Sequence, residues 1–253
     1  MAISDSRDLL AELRRRRPLV HCLTNFVAME LTANVLLAAG ASPAMVVAEE
    51  EAAEFAAVAD ALLVNVGTLT VDGASAIRAA VASARDAGTP WVLDPVAVGP
   101  LSFRTELCVE LLAERPAIVR GNASEIMALA GRSGGGKGVD ATTGAAEAVP
   151  AARELASRSG AVVAVSGEAD HVTDGERVET VPGGDALLTL VTGAGCALGA
   201  LMAGLAATAE QPFDAATAAS AAFALAAERA AGHAAGPGSF ATRLLDELAA
   251  LGR

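Results

Sequence analysis

Residues 62–94 read LLVNVGTLTVDGASAIRAAVASARDAGTPWVLD. Leu62–Val66 is a short run that is apolar on both faces, as a strand covered from both sides requires. Val71–Ala87 follows with an alanine-rich amphipathic pattern at helical spacing, and Trp91–Asp94 is a second short apolar run that ends just before Pro95. Strand, helix and strand in this order make a βα repeat with parallel strands, because the crossover helix returns the chain to the same end of the sheet.

The same alternation extends in both directions. Further strands are predicted at Pro18–Leu23, Ala44–Val47, Ala117–Arg120 and Ala161–Ser166, with helices over Ala28–Ala39, Glu50–Asp60, Thr105–Glu114, Ser124–Ala130 and Ala145–Ser159. From Glu168 to Val181 the texture changes to alternating residues broken by Thr173-Asp174-Gly175, which reads as a hairpin. Ala194–Ala209, Pro212–Gly232 and Pro237–Ala250 read as three closing helices. No linker and no internal repeat interrupts residues 1–253, so the expectation is one α/β domain: a central, mostly parallel sheet with helices on both faces.

Composition narrows the function. The chain has 18 Lys+Arg against 30 Asp+Glu and a formal net charge of −12. That balance excludes an electrostatic grip on nucleic acid or anionic lipid, which needs clustered Lys and Arg to release counterions. Mean hydropathy is +0.45, carried by alanine. No run reaches the roughly 20 apolar residues of a membrane span; Phe26–Ala48, for example, is interrupted by Glu30, Asn34 and Pro43. Asp5, Arg7 and Asp8 stand where an export signal would place its apolar core, so a cytoplasmic protein is expected. Cys22, Cys108 and Cys196 are odd in number and widely spaced, which fits reduced thiols and no zinc site.

In an open parallel sheet, ligands gather outside the carboxyl ends of the strands. Those ends carry Thr24-Asn25, Gly67-Thr68, Asp94-Pro95, Arg120-Gly121-Asn122 and Ser166-Gly167, so polar groups collect on one rim. Thr192-Gly193-Ala194-Gly195-Cys196 leads directly into an apolar helix. Its glycines permit close backbone approach, and free N–H groups at the helix start favour phosphate; a plain glycine turn is the other reading. Gly131–Gly138 imitates a phosphate loop but has Gly138 where Ser or Thr must hold magnesium, and it trails a helix rather than a strand, so it is expected to be a surface loop. Asp94 and Glu125 are hard oxygen ligands suited to holding Mg²⁺ through water beside phosphates. Equally, Asp94 can cap a helix and Glu125 can close a capping box with Asn122. Cys196 at a helix start can have its thiolate favoured by the helix dipole, which lowers the thiol pKa; a buried inert thiol is the other reading. His21, His171 and His233 are too scattered for a metal set, and no serine-nucleophile elbow is present.

With these motifs in hand, the chain resembles hydroxyethylthiazole kinase, the thiazole-salvage enzyme of thiamine biosynthesis, in the ribokinase-like superfamily. The likeness spans nearly the whole chain. It rests on His21-Cys22-Leu23-Thr24-Asn25, Asn65-Val66-Gly67-Thr68-Leu69, Leu93-Asp94-Pro95-Val96, Arg120-Gly121-Asn122-Ala123-Ser124-Glu125, Thr192-Gly193-Ala194-Gly195-Cys196 and Gly236-Pro237-Gly238-Ser239-Phe240, in family order. The resemblance implies that Asn25, Met45 and Gly67 line the thiazole pocket, with Gly195 closing it near the hydroxyl. It implies ATP contacts from Arg120, Ser166, Gly193 and Ala194, Mg²⁺ held by Asp94 and Glu125, and an anion hole formed by the amides of Gly193 to Cys196. Cys196 takes the place where more distant relatives carry an Asp base, and Ser166 stands where relatives often have Thr. A homotrimer with thiazole bound between subunits is implied as well.

The leading expectation is therefore ATP- and Mg²⁺-dependent phosphorylation of 4-methyl-5-(2-hydroxyethyl)thiazole. An alternative with the same anion hole is a ribokinase-like, ATP-dependent NAD(P)H-hydrate dehydratase. A non-catalytic binder is a third reading, opposed by the pairing of Asp94 with Glu125 beside the anion hole.

Overall fold

Alternate residues of each central strand feed two separate apolar layers, so the sheet is buried on both faces. In the computed structural model, which describes residues 3–132 and 144–251, Leu63 packs with one layer while Leu62 and Val64 pack with the other. Val162 and Ala164 divide from Val163 and Val165 in the same way.

The elements run α1 (Ile3–Arg16), β1 (Leu19–Leu23), α2 (Met29–Ala39), β2 (Ser42–Ala44), α3 (Glu49–Val58), β3 (Ala61–Asn65), α4 (Val71–Ala87), β4 (Trp91–Asp94), α5 (Ser102–Leu112), β5 (Ile118–Asn122), α6 (Ala123–Leu129), α7 (Ala145–Ser159) and β6 (Val162–Ser166). There follow the hairpin β7 (Ala169–Thr173) and β8 (Val178–Pro182), a 3-10 turn at Ala186–Leu190, and α8 (Ala194–Ala206), α9 (Pro212–Ala231) and α10 (Pro237–Ala250). One eight-stranded sheet has the order β2-β1-β3-β4-β5-β6-β7-β8. It is parallel from β2 through β6, while β7 and β8 add as antiparallel strands. Helices α1, α2, α8, α9 and α10 cover one face, and α3 to α7 the other.

The expected α/β architecture stands, with three differences. The strand predicted at Ala44–Val47 lies instead at Ser42–Ala44, on the sheet edge, where Pro43 removes no ladder bond that a central strand needs. The first helix was not expected; it docks through Leu10 and Leu13, a narrow apolar stripe on an otherwise charged segment. The hairpin turn is longer than Thr173-Asp174-Gly175: the Asp174 side chain accepts from the Glu176 and Arg177 amides and organises residues 174–177. Of Gly131–Gly138, residues 133–138 lie outside the described residues. Among the described residues, no helix is long and apolar enough to cross a membrane.

Candidate active site

The parallel order carries β1, β3, β4, β5 and β6 to a common rim, and their ends deliver Asn25, Asn65, Asp94, Arg120 and Ser166 there. Asn65 and Asp94 are cross-strand partners at the ends of β3 and β4. The N-terminus of α8 arrives over them. Gly193, at φ 84°, is its N-cap, and a Cβ there would stand 2.9 Å from the Ala28 Cβ, so only glycine fits both conformation and space.

A chain of side-chain hydrogen bonds crosses the rim. Asn25 Oδ1 accepts from the Val27 and Ala28 amides at 3.1 and 2.9 Å. Its Nδ2 donates to Asn65 Oδ1 at 2.8 Å and to Cys196 Sγ at 3.3 Å. Asn65 Nδ2 donates in turn to Asp94 Oδ2 at 2.7 Å. Gly67 approaches Asn25 so closely that a Cβ on it would lie 2.7 Å from the Asn25 Cβ. Asn25, Gly67 and Cys196 are thus brought together as expected. Met45 stands apart: it follows β2 at the sheet edge and packs half-buried against the layer that contains α2 and α8.

The charged pair of the site is Asp94 and Arg120. Asp94 is fully buried, and its Oδ1 lies 3.7 Å from Arg120 Nη1 without a hydrogen-bond partner. Burial pushes its carboxyl up to about 6 and the nearby Glu125 charge adds to this, against the pull of Arg120 and of the Asn65 hydrogen bond. Burial works against the Arg120 charge too, yet Asp94, Glu125 and Asp170 outweigh it and raise the guanidinium pKa. Arg120 Nε donates to Ser166 Oγ at 3.0 Å, and the Nη1 and Nη2 end of the guanidinium lies against Gly195, where a Cβ would fall 2.6 Å from Nη2. Only a glycine admits the arginine at that point.

For Cys196 the structure favours the second of the two readings, the buried thiol. Its thiol pKa is raised, first by burial and then by the Asp94 carboxylate; Arg120 and the Asn25 hydrogen bond pull the other way without prevailing. A helix start favours a thiolate only where nothing anionic faces it.

At the start of α8, the Ala194 amide is already used by the Val191 carbonyl at 3.2 Å. The amides of Gly193, Gly195 and Cys196 have no hydrogen-bond partner among the described residues. Beside them opens a cleft of about 770 Å³ whose lining includes Arg120, Ser166, Asp170, Gly195, Ser220 and Phe223. Asp170 and Ser220 were not foreseen. Ser220 Oγ donates to Asp170 Oδ2 at 2.8 Å and the Gly167 amide to Oδ1 at 3.1 Å, while burial raises that carboxyl. No local motif marks the pair, since the two residues lie far apart in sequence.

The two carboxylates assigned to Mg²⁺ differ in what they have free. Glu125 accepts the Ala97 amide on Oε1 at 2.9 Å and the Asn122 amide on Oε2 at 2.8 Å, while Asn122 Oδ1 accepts the Glu125 amide at 3.0 Å. This is the capping box, and it ties the loop after β4 to α6 as well. Asp94 Oδ1, buried and unbonded, suits a cation or its water shell; Glu125 suits a place further out, through water. Among the described residues no group of three or more His, Cys, Asp or Glu is placed to hold a metal ion.

Comparison with known proteins bears on this geometry. The profile of the Hydroxyethylthiazole kinase family matches residues 10–253. A hydroxyethylthiazole kinase from Klebsiella pneumoniae is 60% identical over 236 residues, which is 93% of this chain and 91% of the relative. The solved structure of the hydroxyethylthiazole kinase protein from Pyrococcus horikoshii superposes with a TM-score of 0.90 at 41% identity, covering 98% of this chain and 94% of that one. A ribokinase-like superfamily protein from Enterococcus faecalis shares the fold at a TM-score of 0.69 and 12% identity, over 96% and 93% of the two chains. With the glycine-bounded start of α8, the buried Asp94–Arg120 pair and a match over nearly the full length, the chain belongs to the hydroxyethylthiazole kinase family.

Proposed function

We propose that the chain transfers the γ-phosphoryl group of ATP to the primary alcohol of 4-methyl-5-(2-hydroxyethyl)thiazole, with Mg²⁺ beside the phosphates. Membership of the kinase family supplies the acceptor class. The observation that carries the mechanism is that Gly195, with its unbonded amide at the start of α8, and Arg120 line the 770 Å³ cleft together, with the buried Asp94 behind Arg120, its Oδ1 3.7 Å from Nη1.

In this reading ATP lies in the cleft with its phosphates toward Gly193 and Gly195, while Arg120, braced by Ser166, faces the oxygen that bridges to the leaving diphosphate. Ala194 shapes the bend rather than lending its amide, which the Val191 carbonyl holds. The alcohol sits against Asn25 and Gly67. Asp94, and Glu125 through water, would hold Mg²⁺, which would supply positive charge beside the phosphate oxygens. Phosphoryl transfer through a loose transition state leans on positioning and charge more than on a strong base. A protonated Cys196 is compatible with that: its sulfur takes the Asn25 N–H and borders the place where the hydroxyl proton departs.

A homotrimer completes the picture, with the thiazole between subunits. Met45, at the sheet edge and apart from Asn25, supports a pocket finished by a second chain, as do the exposed apolar Phe26, Val27 and Val47 around it. Residues 1–253 act as one kinase domain in the cytoplasm, a setting that suits three free thiols.

The test is a coupled assay of ADP release with ATP and Mg²⁺. ADP release that depends on added thiazole alcohol, with the phosphate ester as product, is expected. ADP release driven instead by hydrated NADH overturns the reading in favour of a dehydratase.

A further inference from the structure

Asn65 closes β3 with its side chain buried and both ends of its amide in use. Oδ1 accepts from Asn25 Nδ2 at 2.8 Å and from the Gly67 amide at 3.0 Å, and Nδ2 donates to Asp94 Oδ2 at 2.7 Å. The direction of these bonds is imposed from outside. Two backbone amides occupy Asn25 Oδ1, so Asn25 has only N–H to offer Asn65. Gly67 likewise brings an N–H. Asn65 must therefore turn its carbonyl to both and its NH₂ group to Asp94. The consequence falls on Asp94: Oδ2 is pinned, and Oδ1 is left unbonded, 3.7 Å from Arg120 Nη1.

We propose that Asn65 is a positioning residue for phosphoryl transfer: by donating to Asp94 Oδ2 it sets the rotation of that carboxylate, so that Oδ1 faces Arg120 and the phosphate end of the cleft. The chemistry admits no close substitute. Aspartate would set one carboxylate against another, and leucine, of similar size, would leave Asn25 and Gly67 donating to nothing and Asp94 free to turn. The role also explains why Asn25, on the acceptor side, and Asp94, on the phosphate side, share one amide.

The assignment rests on the proposed function of the same site, and the test separates the two. The chain has four asparagines, Asn25, Asn34, Asn65 and Asn122, so labelling asparagine with ¹⁵N yields a short set of side-chain amide signals. In protein free of nucleotide and metal, the Asn65 pair is expected to be shifted downfield and slow to exchange relative to Asn34. In Asp94→Ala that signature collapses toward the Asn34 values. An Asn65 signal that behaves like Asn34 in the unaltered chain, or that is unmoved by Asp94→Ala, overturns the proposal whether or not any Asn65 variant folds. In kinetics, Asn65→Leu and Asn65→Asp are expected to lower kcat by about tenfold or more, with KM for ATP and alcohol within about threefold. Unchanged kcat with a lower Tm, or with a raised KM for the alcohol alone, makes Asn65 a prop for the Gly67 wall and overturns the assignment. Asp94→Ala is assayed alongside: full activity there overturns the reading of the site itself, whereas its loss beside unimpaired Asn65 variants removes only Asn65.

Discussion

Cys196 stands beside Asn25 as a thiol, because burial and Asp94 together hold its proton. A protonated sulfur contributes less than a true base, so Cys196→Ala is expected to lower kcat by roughly tenfold or less, whereas Asp94→Ala costs about 100-fold or more. Steady-state rates at saturating ATP decide it, and a Cys196 variant as impaired as the Asp94 variant makes the thiol a base after all. Asp94 also ties stability to pH. Its folded pKa of about 6 stands above the unfolded value near 3.9, so the folded state holds the proton more tightly. Stability from this group is full below the unfolded pKa and is lost as pH rises through about 6. Asp94→Asn cannot titrate. Between pH 5 and 7.5, in protein free of ligand and metal, the unaltered chain is expected to lose about 1–2 kcal/mol that the Asn variant keeps. Parallel melting curves for the two proteins across that range contradict the shift.

Two elements hold the site, and each can be probed through its first turn. At α8, a methyl group on Gly195 meets Arg120 within 2.6 Å, so Gly195→Ala is expected to displace the guanidinium and cut kcat by about 100-fold while the melting temperature barely moves. Retained activity in that variant means Arg120 is not needed in its present place. At α6, Glu125 accepts amides from two loops. Glu125→Ala leaves both half-buried amides without that partner, which costs roughly 1–3 kcal/mol even when no metal is bound; an unchanged Tm in chelator shows a metal role only. These elements also show what the sequence discloses. The repeat at Leu62–Asp94 is legible because period and length agree, and the Asn122–Glu125 box because a cap is a local signal. Helix α1 was missed because only Leu10 and Leu13 mark its buried side among charges. The state of the Cys196 thiol stays open in the sequence because the helix start is local while Asp94, which opposes it, arrives from another strand. Asn65 went unassigned for the same reason: its meaning lies in register, not in spacing.

At the scale of the whole molecule, charge and apolar surface pull in opposite directions. Each chain carries a formal −12, so copies of it in the proposed trimer would repel at low ionic strength, and apolar contact and screening would have to bring them together. The apolar side chains left outside cluster partly at the acceptor end of the site: Phe26 is 67% exposed, Val27 64% and Val47 42%, and Phe26 and Val47 line a second cavity of about 320 Å³ next to Asn65. If the pocket is finished by a neighbouring chain, assembly and alcohol affinity must fail together. Phe26→Glu adds charge to a side chain that the isolated fold leaves in water, so the protomer itself keeps its Tm within a degree or two. Its mass in solution is expected to fall from three times the 25.1 kDa of the chain toward one, and KM for the alcohol to rise tenfold or more with KM for ATP little changed. Added salt is expected to strengthen the proposed trimer of the unaltered chain, because it would screen repulsion between acidic subunits without weakening apolar contact. A Phe26→Glu protein that remains trimeric with ordinary alcohol affinity removes this surface from the interface, and a monomer with unchanged KM for both substrates shows that each chain binds its acceptor alone.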